Sequence, residues 1–437
     1  MFDGHEIFPV TANLNEQSHL VVGGCDSMEL VQEYGTPLYV YDEDTLRGMC
    51  REFLEAFSGS EDINSKILYA AKAFINPAIA RIINEEGLGM DVVSAGEITV
   101  ALASGFPSER IYFHGNNKSQ SELELAVDSN VSRIVVDNFY EMEILSQIAL
   151  TKGIVQDVLL RVSPGVDPHT HAKTTTGVLD SKFGLSIDTG DAAVAISKAM
   201  ELPGISLRGL HCHLGSPIFE LEPYSIAVEA IFRLASQFKS EGFVMEEFSP
   251  GGGFAIGYIR RQLPPPISSY AEVIIKSVKE CSIGFGIDVP EIVIEPGRSI
   301  VGRAGVALYT VGSIKDIPGI RKYVSLDGGM GDNIRPAMYD SVYEAAVANR
   351  MSDSEEETVT LAGKFCESGD ILVRDVRMPS LKPGDTVAIP ASGAYAPSMA
   401  SVYNLNPRPA IVIVKDGSAK VIRRRETYQD LMLLDVF

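Results

Sequence analysis

The sequence predicts a closed parallel (β/α)8 barrel joined to an all-β domain, and three features of the chain predict it. Apolar strand-like runs alternate with helical patterns over roughly 230 residues, a rhythm that means parallel strands with crossover helices. Nearly every one of these runs ends on a polar, charged or glycine residue, as the C-terminal face of such a barrel requires. Beyond about Arg298 the texture changes to β-rich segments separated by turn signals, with few helical patterns.

In order, residues 1–43 read as short strands and turns, with Tyr39-Val40-Tyr41 as one strand. Asp44 or Thr45 is the expected cap of a helix running to about Phe57. Its apolar stripe is Leu46, Met49, Cys50, Phe53, Leu54 and Phe57. Eight strand candidates follow: Ile67–Ala71, Gly89–Val93, Arg110–Phe113, Arg133–Val136, Asp157–Val162, Leu207–His213, Glu246–Ser249 and Glu291–Ile294. Helical patterns at Asn76–Glu86, Ala95–Ser104, Ser119–Asp128 and Phe139–Leu150 separate the earlier ones. The later segments Val306–Ile314, Tyr323–Asp327, Thr358–Lys364, Ile371–Val376, Thr386–Ala391 and Ala410–Arg425 form a β-sandwich or β-barrel domain, which the N-terminal segment completes. The expected domains are therefore 44–300 for the barrel, and 1–43 with 301–437 for the β domain. Ser352–Glu357 reads as a charged surface loop.

Composition narrows the class of function. The chain has 437 residues, 45% hydrophobic and 22% charged, with a formal net charge of -21. Such a charge argues against nucleic-acid and anionic-membrane partners, and an anionic substrate then needs a local cationic pocket. The five cysteines are scattered and form no CxxC pair, so neither a disulfide framework nor a metal site is expected. No signal-like N-terminus and no long apolar run is evident, and a cytoplasmic enzyme is the expectation.

Three groups carry chemistry. Lys72 ends the apolar run I-L-Y-A-A-K-A. An ammonium at the mouth of a buried strand snorkels to solvent, pairs with a carboxylate, or holds a carbonyl compound. Gly251-Gly252-Gly253 follows strand seven, where barrel phosphate sites often lie, and Ser216 can add a hydroxyl; a tight turn is the plainer explanation. Glu295, in I-V-I-E-P-G-R, either pairs with Arg298 or bonds a cofactor's ring nitrogen. Lysine, phosphate cradle and ring-nitrogen carboxylate are together what pyridoxal phosphate needs. His213 is either a core histidine or lies on the ring face. Arg335 and Tyr339, four apart after Gly328-Gly329-Met330-Gly331, are surface residues or carboxylate binders.

The chain resembles the alanine-racemase-like, fold-type III pyridoxal-phosphate decarboxylases, in particular the branch that acts on diaminopimelate. The matching stretches run through nearly the whole chain in the right order. They are Y-A-A-K-A at 69–73, M-D-V-V-S-A-G-E at 90–97, H-G-N-N-K at 114–118, S-P-G-V-D-P-H-T-H at 163–171, S-K-F-G at 181–184, H-C-H-L-G-S at 211–216, G-G-G-F at 251–254, E-P-G-R at 295–298, C-E-S-G-D at 366–370 and G-A-Y-A-P-S-M-A-S-V-Y-N at 393–404.

This resemblance implies decarboxylation of meso-2,6-diaminopimelate to L-lysine by a pyridoxal 5'-phosphate enzyme, the last step of lysine biosynthesis. It implies that Lys72 holds the cofactor's aldehyde, that His213 stacks on its ring, and that Glu295 bonds its nitrogen. Ser216, Gly252, Gly253 and the segment Glu295, Pro296, Gly297, Arg298 would hold the phosphate. Arg298, Arg335 and Tyr339 would bind the distal carboxylate of the substrate and Glu367 its distal ammonium. Tyr395 would touch both cofactor and substrate, and Cys366 would donate the proton. A head-to-tail homodimer with shared active sites is implied, Cys366 and Glu367 reaching the partner's pocket. Two departures stand out: Phe74, where many relatives carry asparagine, and the segment 254–270, whose two arginines have no assigned role. The alternatives are a decarboxylase of ornithine or of a carboxylated polyamine, and a non-catalytic cofactor-binding relative.

Overall fold

The computed structural model describes residues 6–58, 63–167, 176–177 and 181–436. Two compact units emerge: one is Cys50–Ala255 with Pro265–Gly297, the other Met1–Met49, Ile256–Pro264 and Arg298–Phe437.

The first unit is the barrel. Its strands are β1 (Ser65–Ala70), β2 (Gly89–Val92), β3 (Ile111–Phe113), β4 (Arg133–Val136), β5 (Gln156–Ser163), β6 (Ile205–His211), β7 (Glu247–Gly251) and β8 (Glu291–Ile294). Each pairs in parallel with its sequence neighbour, and β8 pairs with β1 through Ile292↔Ser65 and Ile294↔Ile67, which closes the ring. The expected eight-stranded barrel is thus present, each strand within two or three residues of its expected span. A parallel strand buried on both faces reads as an unbroken apolar run, which is why these segments stand out.

Leu68, Tyr112, Val135, Leu159 and Val293 fill one layer of the interior, each 2% exposed or less. Burying side chains of this size contributes about 1.5–3 kcal/mol apiece. Near the strand starts the layer gives way to ions. Glu247 accepts hydrogen bonds from Tyr112 Oη at 2.9 Å and Arg133 Nη2 at 2.6 Å, and Lys66 Nζ lies 3.3 Å away. Arg133 also reaches Asp157 at 3.1 Å.

At the opposite, C-terminal ends, four helices begin directly after strands, each with a polar cap. Asn76, Ser94, Ser119 and Asn138 accept hydrogen bonds from the first turn, and Ser119 with Glu122 makes a reciprocal capping box. Each cap is worth about 1 kcal/mol and fixes where the chain turns away from the barrel mouth.

In the second unit, Leu38–Asp42 lies between two partners from far along the chain. It pairs antiparallel with Gly305–Ile317 and parallel with Ala410–Lys415, so the N-terminal segment does complete the β domain. Beyond Gly305–Ile317 the sheet continues through Arg321–Leu326, Glu357–Ala362 and Ile371–Met378. The helix expected from residue 44 spans Glu43–Ser58, and its cap is neither Asp44 nor Thr45. The buried Asp42 carboxylate takes the Thr45 N–H at 3.1 Å and also the Thr45 hydroxyl. The last residue of the strand therefore starts the helix.

Burial disfavours the ionised form of Glu247, but Arg133, Lys66 and the Tyr112 hydroxyl outweigh it and hold its carboxyl below the usual range. The stability this contributes is present above the unfolded-state pKa of about 4.3 and is lost as pH falls through the lower folded value. Glu247→Gln is expected to lower stability at pH 7 by about 2–3 kcal/mol and to flatten the acid limb of the stability curve. Denaturant midpoints between pH 3 and 7 check this; an unchanged acid limb would contradict it.

Candidate active site

Every group of interest in the barrel unit sits where a strand ends. Lys72 lies in the single turn Ala71–Ala73 that follows β1, and its Nζ is 3.2 Å from Asp91 Oδ2 in the fully buried part of β2. A cavity of about 370 Å³ opens above the strands, lined among others by Lys72, His114, Arg161, His211, His213 and Glu295. Polar groups at the ends of β1, β3, β5, β6 and β8 therefore converge on one pocket.

Glu295, immediately after β8, is 4% exposed. His211 Nε2 is 3.0 Å from its Oε2, the Ser249 hydroxyl donates to Oε1 at 3.0 Å, and His114 Nε2 lies 3.4 Å from Oε1. Burial alone would raise this carboxyl; His211 and His114 outweigh it, so the group is held below its ordinary value and stays ionised. His114 itself is held neutral by burial, well below the ordinary histidine value. His213 is likewise kept neutral, chiefly by burial and then by the charge of Lys72. The Gly252 N–H donates to His213 Nδ1 at 3.2 Å, which fixes the ring proton on Nε2.

The glycine turn earns its composition. Gly251 and Gly253 have φ of 77° and 103°. A Cβ on Gly252 would stand 2.3 Å from the Glu295 carbonyl oxygen, and one on Gly251 2.8 Å from His213 Nδ1. Tyr224 anchors the turn by donating to the Gly252 carbonyl at 2.8 Å. Gly297 plays a similar part across the barrel seam: its Cβ would lie 2.9 Å from that of Ala70, whose N–H donates to the Pro296 carbonyl at 3.0 Å. Pro296 and Gly297 thus tie the end of β8 to the end of β1, two residues from Lys72.

Arg161 is 8% exposed, stacks 4.4 Å over Phe183 and lies 3.7 Å from Asp137. Phe183 belongs to the S-K-F-G motif. In H-G-N-N-K, Lys118 is structural: it is bonded at 2.6 Å to Glu141 and at 2.8 Å to the carbonyls of Gly115 and Val135. Pro168–His171, the end of the 163–171 motif, lie outside the described residues. Ser216 follows His213 in the loop after β6, partly buried.

The other expected residues belong to the second unit, and three of them cluster there. The guanidinium of Arg298 lies 4.8 Å over the Tyr395 ring, and Arg298 Nη1 donates to Tyr258 Oη at 2.6 Å. Arg335 stacks 4.6 Å over Tyr258 and donates to the Tyr343 hydroxyl. Tyr339 ends the short helix Arg335–Tyr339 and is partly exposed. Cys366 and Glu367 are exposed on a loop held from below, with the Cys366 N–H on Asn404 Oδ1 at 2.8 Å. The buried Asp370 carboxylate takes the N–H groups of Met330 at 2.6 Å and Phe365 at 2.8 Å.

Residue patterns did not single out Tyr258, Tyr343 or His211. For His211 a signal exists: in H-C-H, residues two apart on a strand end face the same side. For the two tyrosines there is none, because their partners are about 40 and 8 positions away in a different element.

The barrel residues fit pyridoxal phosphate. They supply an amine beside a buried carboxylate, an ionised carboxylate held by His211 and the Ser249 hydroxyl, a turn stripped of Cβ atoms, and a His211 Nδ1 and Asp91 Oδ1 that are buried without hydrogen-bond partners. His114, His211 and Glu295 also place three ligand atoms within 4.8 Å of one another.

Comparison with known proteins agrees. The family model described as pyridoxal-dependent decarboxylase, pyridoxal binding domain, matches residues 43–302. Diaminopimelate decarboxylase of Bacillus subtilis (strain 168) is 48% identical, over 98% of this chain and 97% of its own. The chain belongs to the diaminopimelate decarboxylase family. Pyridoxal phosphate is its cofactor. Among solved structures, diaminopimelate decarboxylase from M. jannaschii in co-complex with L-lysine has a TM-score of 0.92 at 34% identity, covering 98% of both chains. The fold extends further, to a lysine/ornithine decarboxylase from Vibrio vulnificus at TM-score 0.77 and 23% identity.

Borohydride reduction followed by peptide mass analysis is expected to leave the cofactor's mass on the Lys72 peptide, and Lys72→Ala is expected to abolish both that label and turnover. A label on another lysine would overturn the assignment.

Proposed function

We propose that this chain decarboxylates meso-2,6-diaminopimelate to L-lysine and carbon dioxide, the last step of lysine biosynthesis. The observation that carries the chemistry is the single cavity that holds both Lys72 and the braced Glu295. The relatives' names carry the substrate class.

When bound, pyridoxal phosphate supplies the sink for the electron pair left behind as carbon dioxide departs. The protein does the rest. Lys72 would hold the aldehyde, with Asp91 orienting its Nζ at 3.2 Å. Glu295, pinned by His211 and Ser249, would face the ring nitrogen and favour its protonated form. An arginine there would not. His213, held neutral by burial, would lie against the ring. The Ser216 hydroxyl, the turn Gly252-Gly253 and the segment Glu295, Pro296, Gly297, Arg298 would take the phosphate, the last two through the N–H groups of Gly253, Gly297 and Arg298. Arg298, Arg335 and Tyr339 bind the distal carboxylate, Glu367 the distal ammonium, and Tyr395 meets both cofactor and substrate. The Cys366 thiol returns a proton to the carbon that lost carbon dioxide.

The exposure of Cys366 and Glu367 supports a head-to-tail homodimer in which this loop serves the partner's site. Among the described residues no helix is long and apolar enough to cross a membrane. The rival substrates, ornithine and carboxylated polyamines, lack the distal amino-acid head that an arginine at 335 would read.

Product analysis with meso-diaminopimelate, ornithine, lysine and arginine in parallel tests the proposal: carbon dioxide and L-lysine are expected from diaminopimelate alone. Arg335→Ala is expected to raise KM for diaminopimelate about a hundredfold or more, the loss of a charge-assisted bidentate contact. An unchanged KM would remove the distal-carboxylate role. Mixing inactive Lys72→Ala and Cys366→Ala homodimers is expected to restore about a quarter of wild-type activity by random subunit exchange, since half the dimers then carry one intact site. No recovery after exchange would argue against shared sites.

A further inference from the structure

The segment 254–270 contains two arginines that the motifs leave without a role, and the structure shows what one of them does. Arg260 is clamped to Glu344 twice, through its own backbone N–H to Oε1 and through Nε to Oε2, each at 2.6 Å. The clamp joins two stretches that each carry a tyrosine: Tyr258 stands two residues before Arg260, and Tyr343 directly precedes Glu344. The two rings meet edge to face, with centroids 5.2 Å apart and planes at 79°.

Around these rings sit two buried cations. Arg298 is 7% and Arg335 4% exposed. Arg335 makes no ion pair among the described residues; what faces it is phenolic, the ring of Tyr258 at 4.6 Å, that of Tyr343 at 5.5 Å, and the Tyr343 hydroxyl. Two guanidiniums gathered in a buried place repel each other, and keeping them there needs a partner that both can use. Tyr258 is that partner. Its face carries Arg335 while its hydroxyl accepts from Arg298 Nη1 at 2.6 Å. Burial disfavours ionisation of the Tyr258 hydroxyl, yet Arg298 and Arg335 outweigh it and hold the group below the usual phenol range. A phenol suits this task where a carboxylate would not. A carboxylate would neutralise Arg335 and compete with an incoming anion; a phenol solvates it and leaves its charge available.

We propose that Tyr258 is a specificity-determining positioning residue that holds the Arg298 and Arg335 guanidiniums at the spacing needed to receive the distal carboxylate of the substrate, with the Arg260–Glu344 clamp fixing the turn that presents it. This rests on the diaminopimelate reading of the two arginines.

The test compares Tyr258→Phe, which keeps the ring face and removes the hydroxyl, with Tyr258→Leu, which removes both, and Arg260→Ala, which loosens the clamp alone. Steady-state kinetics, the absorbance of the bound cofactor and the thermal midpoint are measured on the cofactor-loaded proteins. The expected result for Tyr258→Phe is a KM for meso-diaminopimelate raised about tenfold, with kcat within twofold of wild type and cofactor absorbance unchanged. Tyr258→Leu is expected to raise KM further, and Arg260→Ala to raise it less than either. A fall in kcat with KM unchanged, or a fall in KM, would overturn the proposal, the second because it would make the hydroxyl a competitor of the substrate. If Tyr258→Leu does not fold, the Phe and Ala variants decide. Arg335→Ala separates the two levels. If it leaves KM unchanged, the carboxylate reading has failed. If it raises KM while the Tyr258 variants do not, that reading stands and the positioning role is lost.

Discussion

The seam between β8 and β1 is the constraint on which the rest depends. A barrel closes only if its last strand finds its first, here through Ile292↔Ser65 and Ile294↔Ile67. That pairing puts the ends of two strands far apart in sequence side by side, one continuing into Lys72 and the other into Glu295. Gly297, with no side chain, allows the segment after β8 to lie against Ala70. An amine and an ionised carboxylate reach one cavity without a flexible loop to carry either. Sites on strand ends inherit the rigidity of the sheet, and so does this one.

Charge is distributed along the barrel with the same economy. One end is plugged by Glu247, Arg133, Asp157 and Lys66, which satisfy one another and leave nothing for a ligand. An apolar layer separates them from the other end, where Glu295 is held by His211 and the Ser249 hydroxyl, with His114 3.4 Å away. The Ser249 hydroxyl is a neutral donor and stabilises the anion without cancelling its charge. In the second unit Arg335 shows the mirror arrangement: a cation faced by phenols, the ring of Tyr258 and the hydroxyl of Tyr343.

Much of this was legible in the residues. The barrel strands are apolar runs buried on both faces, and the four helix caps are plain polar residues just before an apolar period, so both announce themselves locally. Lys72, Glu295 and the glycine turn were visible because each is an odd residue at a strand end. The cap at Asp42 was misplaced because Asp44 and Thr45 offer the same chemistry two and three positions later; only the burial of Asp42 against Thr45 decides between them. Tyr258 and Tyr343 stayed hidden because an aromatic among apolar residues reads as core, and their meaning comes from Arg298 and Arg335, which no local pattern links to them. Arg260, one of the two arginines of 254–270, likewise needed Glu344 in view.

The central position of Leu38–Asp42 in its sheet bears on how the chain is made. Its neighbours begin at Gly305 and Ala410, so when the ribosome releases this strand neither yet exists. Everything the barrel needs is encoded between them, and its pairings are mostly between successive strands. Synthesis therefore delivers a complete inner fold while an apolar N-terminal strand waits unpaired, and the outer fold assembles only as the last residues emerge. Such long-range closure is slow. The waiting strand, rather than the barrel, is where a chaperone has most to protect during translation.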